Sequence, residues 1–166
     1  MFTKIYGRCQ HCATEYSIFL YDKQVIGECK ECGKEPIKTS PIKGLIYILH
    51  NEHQTGVKIG FTAKSLNQRI KALSSTGVPG VMKAVAVFHS NQMKKEESKV
   101  HEKLRKYRFD KEHFNLEPIE AVLATFRTLN RRLPVFYNKK VEVEFHARLA
   151  QARTDMRIKL AGKEDQ

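Results

Sequence analysis

The chain has 166 residues, 41% of them hydrophobic, and a formal net charge of +12, so it holds one ordinary domain, or one plus a small stapled module. No apolar run approaches the ~20 residues of a membrane helix, and the N-terminus, MFTKIYGRC, lacks the apolar core of a signal peptide, so the expectation is a cytoplasmic protein with no membrane partner. The positive balance points to a polyanion, nucleic acid first, with a solubilising surface charge as the plainer account.

Residues 1–35 read as a unit of their own. All four cysteines lie here, as Cys9-x2-Cys12 and Cys29-x2-Cys32 with sixteen residues between the pairs. Each pair offers two thiolates from one tight turn, and two such turns close a tetrahedron, so the spacing predicts a structural zinc site on Cys9, Cys12, Cys29 and Cys32. Gly33 suits the second turn. Tyr16–Tyr21 is strand-like, and Val25-Ile26-Gly27 is its expected hairpin partner around Asp22-Lys23-Gln24. The unit resembles a zinc ribbon. So few residues bury little core, so the metal is expected to supply much of the folding free energy. Whether it is only a clamp or also binds DNA or protein stays open. His11, inside the first knuckle, is expected at the surface rather than on the metal. Residues 36–43, with Pro36 and Pro41, read as a short stiff linker.

The stretch from Gly44 to Arg69 follows. Leu45-Ile46-Tyr47-Ile48-Leu49 is an apolar run of strand length, fit for burial on both faces. His50–Gly56 is a polar turn, and Val57-Lys58-Ile59-Gly60-Phe61 alternates as a second strand. Ser65 with Gln68 three residues on is a capping-box pattern ahead of a helix over Leu66–Ser75. Tyr47, Lys58 and Arg69 are eleven residues apart in turn, and a hairpin followed by a helix can gather all three on one surface. Thr76–Gly80 ends the helix, and Met82–Phe88 predicts a third strand. A helix capped by Ser90 or Asn91 is expected to run to about Tyr107, with Met93, Val100, Leu104 and Tyr107 as its buried stripe. Glu97 lies on that stripe, where a carboxylate is costly unless paired or bound to a cation.

Lys111–Asn115 reads as a polar and aromatic loop. Pro118 opens a helix whose apolar face is Ile119, Val122, Leu123, Phe126 and Leu129. A final helix over about Val141–Leu160 carries a seam of Phe145, Leu149, Ala152 and Met156, with Arg148, Arg153, Arg157 and Lys159 off it.

Ile46-Tyr47, Val57-Lys58-Ile59-Gly60, Arg69, Glu97–His101 (ESKVH) and Glu112–Leu116 (EHFNL) together resemble the GIY-YIG nuclease superfamily, most closely a phage-associated branch with VKIG in place of YIG. Leu45 stands where the superfamily has its first Gly. The resemblance implies an α+β fold. A small N-terminal zinc ribbon (1–35) and a linker (36–43) precede a three-stranded sheet flanked by helices (44–130), and a basic C-terminal helical extension (131–166) follows. It implies an endonuclease acting on DNA more than RNA, in the host-cell cytoplasm if phage-encoded, with zinc ribbon and basic surface aiding binding. It implies Glu97 on one catalytic Mg²⁺ or Mn²⁺, Arg69 on the phosphate oxygens and Tyr47 as proton acceptor. Lys58 then holds the water or favours phenolate, and His101 shuttles a proton or orients Glu97. Glu112 is a second carboxylate or an ion-pair partner. Asn115 holds a backbone phosphate or turns the chain. The alternative is an inactive nucleic-acid-binding or partner-binding module on the same fold.

Overall fold

The computed structural model describes residues 2–22, 24–37, 41–74 and 80–164. Lys23 of the expected hairpin turn, residues 38–40 of the linker, Ser75 at the expected helix end and most of the expected stop at 76–80 lie outside them. The chain divides into two compact units, Met1–Pro41 and Ile42–Gln166.

In the first unit, β1 (Phe2–Arg8) pairs antiparallel with β2 (Glu15–Tyr21), which pairs with β3 (Gln24–Ile26). β2 and β3 are the expected hairpin; β1 was not anticipated. Each Cys-x2-Cys turn follows a strand and closes the same way. The N–H of Ala13 donates to the Cys9 carbonyl at 2.9 Å, and that of Gly33 to the Cys29 carbonyl at 2.8 Å. Both closing residues are left-handed, Ala13 at φ 60° and Gly33 at φ 64°.

The second unit is one antiparallel sheet of six strands with four helices among the described residues. Its centre is β4 (Gly44–His50), flanked by β5 (Val57–Thr62) and β6 (Lys83–Ser90). These are the three strands expected. Three short ones extend the edges. β8 (His113–Phe114) pairs with β5 and β7 (Arg108–Asp110) with β8, while β9 (Val135–Phe136) pairs with β6. The expected loop over Lys111–Asn115 is therefore part of a hairpin.

Residues 46–49 of β4 are fully buried because both faces are covered. Ile46 and Ile48 pack with Val57, Ile59 and Phe88 beneath α2 (Met93–Lys103), α3 (Pro118–Thr128) and the start of α4 (Lys139–Glu164). Tyr47, Leu49 and Val87 face the other way, under Leu66, Ile70 and Leu73 of α1 (Leu66–Ser74). Ser65 caps α1, its Oγ accepting the Gln68 N–H at 3.3 Å.

Two helices depart from expectation. α2 ends at Lys103, and a single 3-10 turn, Arg105–Tyr107, leads into β7. Leu104 is buried as expected, but Tyr107 is 36% exposed because the chain has by then turned toward the sheet edge. In α4 the apolar seam is in use only at its start. Val141 and Phe145 are buried, whereas Met156 is 54% exposed and Ala152 is also exposed. At ~1.5 Å per residue the helix is about 39 Å long, longer than the core it covers. Arg148 is committed to α3, donating to Glu120 and to Glu144 of its own helix.

Candidate active site and metal centre

The capped start of α1 fixes where Arg69 projects. Its Nε donates to the Tyr47 hydroxyl oxygen at 3.0 Å, and its guanidinium carbon lies 5.8 Å from the ring centre. Tyr47 is fully buried and pairs across the ladder with Gly60. That glycine makes room for the phenol: a Cβ on it would stand 2.5 Å from the Tyr47 hydroxyl. Burial pushes the Tyr47 hydroxyl up from its ordinary value, with Arg69 opposing and Glu112 and Glu97 adding. The bond to Tyr47 raises Arg69.

Lys58, opposite Leu49 on the ladder, faces the same side as Tyr47 and Gly60. Its Nζ pairs with Glu112 at 2.8 Å, and both side chains are mostly covered. So Glu112 is an ion-pair partner that also lines the cleft beside Arg69. This cleft, ≈ 780 Å³, is walled by Thr62, Lys64, Gln68 and Arg69 among others. A larger groove, ≈ 1060 Å³, lies between α2 and α3 and contains none of these residues.

β8 is too short to cover the rest of β5. The Ile59 N–H donates to the Glu112 carbonyl at 2.9 Å, but the Ile59 carbonyl has no strand beside it among the described residues. His101 of α2 fills that place, its Nε2 3.0 Å from the Ile59 oxygen. A carbonyl only accepts, so Nε2 carries the proton and Nδ1 the lone pair. Burial holds His101 below its ordinary value, consistent with a neutral ring. The bond pins α2 over the sheet edge and brings Glu97 in.

The Glu97 carboxylate makes no hydrogen bond among the described residues. His101 Nε2 stands 4.0 Å away, no ion pair while the ring is neutral, and both side chains are largely covered. Desolvation first, then the Glu112 charge, raises it above the ordinary carboxylate value, with Arg69, Lys58 and Arg108 opposing. Tyr47 and Arg69 are bonded and Lys58 shares their face of the sheet, while Glu97 and His101 come from α2 at the open edge of β5, where the Glu97 charge acts on both Tyr47 and Arg69. Asn115 is held by its backbone. Its N–H donates to the Tyr107 carbonyl at 2.8 Å, and its backbone packs on Gly56, which sits at φ +81° with a would-be Cβ 3.1 Å from the Asn115 Cα.

The neighbouring acid is built differently. Glu96 accepts both arms of the Arg132 guanidinium at 2.8 Å and the Ser90 hydroxyl at 2.6 Å. Arg132 and Ser90 hold it below the ordinary carboxylate value. Ser90 also accepts the Gln92 N–H at 3.1 Å, so it supports the helix start without being its cap. Nothing in the sequence pointed to Arg132 as a partner, since it lies beyond α3.

A largely covered carboxylate with no hydrogen bond among the described residues suits a hard divalent cation, which takes carboxylate and water oxygens. It also makes a stability prediction. The unfolded Glu97 ionises near its ordinary value and the folded one only at higher pH. The native state therefore loses stability as pH rises through that interval, and the loss persists at pH 7. Glu97→Gln should raise the melting temperature at pH 7 without added divalent ion by roughly one to three degrees. Added Mg²⁺ or Mn²⁺ should then stabilise the wild type and not the variant. Calorimetry across pH 4–8 reads both; an unchanged melting temperature would mean the carboxylate is already satisfied.

The four cysteine Sγ atoms all lie within 4.8 Å of one another, with Cys9–Cys32 at 3.7 Å and Cys12–Cys29 at 3.5 Å. A tetrahedron with zinc–sulfur bonds of about 2.3 Å has edges of about 3.8 Å, so the cluster has the size of a tetrathiolate site. The His11 N–H lies 3.4 Å from Cys9 Sγ, a donor suited to a thiolate, while the residue itself is exposed as expected. Contacts to the Thr14 hydroxyl and backbone lower Cys12 to about 6. A Lys34 backbone contact favours the Cys32 thiolate, but burial and the three other thiols push it up to about 12. Four thiolates in this space call for a cation, and the cluster could bind a zinc ion.

No helix among the described residues is long and apolar enough to cross a membrane. No curated protein and no solved structure matches the chain. The T5orf172 domain family does, over residues 44–130, just over half the chain and the whole stretch from β4 to the end of α3. The chain therefore belongs to the T5orf172 domain family, a family related to the GIY-YIG nucleases.

Proposed function

We propose that the protein is a metal-dependent endonuclease that hydrolyses phosphodiester bonds in DNA. In this reading 44–130 is the nuclease domain, 1–35 a zinc ribbon joined by the linker 36–43, and 131–166 a basic helical extension that helps hold the substrate. One observation carries it: a buried phenol bonded to a guanidinium, beside a half-buried carboxylate that no hydrogen bond satisfies among the described residues.

Arg69 binds the non-bridging phosphate oxygens through the guanidinium nitrogens it does not give to Tyr47. Tyr47 accepts the proton of the attacking water as phenolate, which the Arg69 bond stabilises. Lys58, restrained by Glu112, supplies positive charge on the water's side. His101 is a positioning residue in this scheme, since its Nε2 proton is given to Ile59 and its ring orients Glu97. Glu97 holds the divalent ion, which when bound supplies Lewis-acid stabilisation of charge on the phosphate and the leaving oxygen.

The roles fix a pH dependence. Tyr47 titrates above its ordinary value, so its basic form grows about tenfold per pH unit throughout the neutral range. Single-turnover cleavage of labelled duplex DNA with Mg²⁺ should rise with that slope between about pH 6 and 9. Tyr47→Phe should lower the rate by about a hundred-fold or more and flatten the profile. A Tyr47→Phe enzyme with wild-type rate and slope would remove Tyr47 from the chemistry. Salt-sensitive DNA binding without cleavage, surviving joint replacement of Arg69 and Glu97 by alanine, would instead identify an inactive binder. The Lys58–Glu112 pair, which neutralises one cation of the site, is what favours that second reading.

A further inference from the structure

The hairpin that completes the sheet edge carries a largely exposed aromatic ring, whose one ring contact among the described residues is with the side of His113. Phe109 of β7 is 60% exposed. Its ring centre is 5.9 Å from that of His113, and His113 stands opposite Lys58 on the β5–β8 ladder. Phe109 therefore lies on the same face of the sheet as Lys58. Two strand spacings separate them, about 10 Å, roughly the span of one to two nucleotides. In the chain it is flanked by Arg105, Lys106, Arg108 and Lys111, with Asp110 and Glu112 among them, and Arg105 pairs with Glu102 at 3.8 Å. Arg108 stands opposite Phe114, so it lies on the α2 face of the hairpin rather than the face of Phe109 and His113, and its charge acts on Glu97 and His101. The ring of Tyr107, by contrast, already has the Lys106 ammonium 4.7 Å from its centre.

Charges on an edge strand protect it from pairing with other chains, which accounts for the cations. It does not account for an exposed phenylalanine among them, which adds apolar surface to the same edge. An apolar protein partner would have to bury those cations. A nucleotide satisfies both halves, its phosphate meeting the charges and its base the ring. Bases inside a duplex have their faces covered by their neighbours, so a ring beside the site can only receive a base that is out of the stack.

We propose that Phe109 is a stacking site for an unpaired base within a few nucleotides of the phosphate held by Arg69. The preferred substrate then carries single-stranded nucleotides at the cut, as in an overhang, a flap or a strand junction. This rests on the nuclease reading for the position of the phosphate, but its test does not need turnover.

The chain contains no tryptophan, so Phe109→Trp in the full-length protein is a single fluorescent reporter. Binding is measured without added divalent ion to a single-stranded oligonucleotide, a duplex with an overhang, and a blunt duplex of the same sequence. Stacking predicts that Phe109→Trp keeps its affinity and that saturating single strand or overhang quenches its emission while blunt duplex does not. Tyr137→Trp, exposed beside the opposite edge strand β9, should not be quenched. Phe109→Ala should bind the two unpaired probes five- to a hundred-fold more weakly and the blunt duplex within two-fold of wild type. Arg108→Ala should weaken all three probes and reduce the salt slope by about one. Equal affinity of Phe109→Ala and wild type for every probe, or unquenched emission from Phe109→Trp at saturation, would overturn the stacking site. Cleavage without quenching overturns it and leaves the nuclease standing. Quenching without cleavage upholds it and sinks the nuclease.

Discussion

Glu97→Ala should reduce DNA cleavage by at least about a thousand-fold while the protein remains folded. The adjacent substitution should do the reverse. Glu97 gives no hydrogen bond to the described fold, and its charge is a cost to the native state until a cation arrives. Glu96 binds Arg132 through both arms and Ser90 as well, so removing it leaves a partly buried guanidinium without its partner. Glu96→Ala should cost about 2 kcal/mol of stability and leave the rate constant of the surviving folded protein near that of wild type. Its contribution is present above the ordinary carboxylate value, because the folded group is held below it, and is lost as the solution is acidified further. Thermal denaturation and single-turnover rates on both variants separate the two acids. Loss of stability in Glu97→Ala equal to that in Glu96→Ala would make Glu97 structural and remove the metal from the scheme.

Stripping zinc should have the second large effect. The Met1–Pro41 unit has a three-stranded sheet and a small set of buried residues, chiefly Ile18 with Cys9 and Cys29. Structural zinc contributes about 10–16 kcal/mol of apparent binding free energy in small domains, more than such a core supplies. A strong chelator should release one zinc per chain and unfold residues 1–35. The amide signals of the Ile42–Gln166 unit should persist, because its sheet of six strands with four helices contains no cysteine. Cys29→Ser should copy the chelated state. Retention of the β1–β2 amide protection after complete metal removal would contradict the account.

The parts legible in the sequence were those whose signal is local. β4 announced itself as an apolar run because both its faces are covered, and Ser65 and Gln68 marked the start of α1, hence the direction of Arg69. The cysteine spacing carried its own geometry. Glu97 stood out as a carboxylate on an apolar stripe. What stayed hidden depends on partners distant in the chain. The β7–β8 hairpin has strands of three and two residues on an exposed edge, so it has no alternation to detect. His101 read as a proton shuttle or as an orienter of Glu97, and nothing local reveals that β8 stops short and leaves the Ile59 carbonyl open. The Arg132 clamp on Glu96 crosses thirty-six positions. The apolar seam of α4 continues in the sequence past the point where the core ends, so periodicity alone overstated its packing. Gly60 was noticed as part of a motif, but its reason is the register that sets it opposite Tyr47, which counting back from the hairpin turn could have found.

The most direct test of the central claim is cleavage of supercoiled DNA by the intact, zinc-loaded protein with added Mg²⁺ or Mn²⁺, run beside Arg69→Ala and Glu97→Ala. Nicked or linear product is expected from the wild type, dependent on the added ion and absent from both variants. Product from the wild type no greater than from the variants, on every DNA and RNA offered, would contradict it.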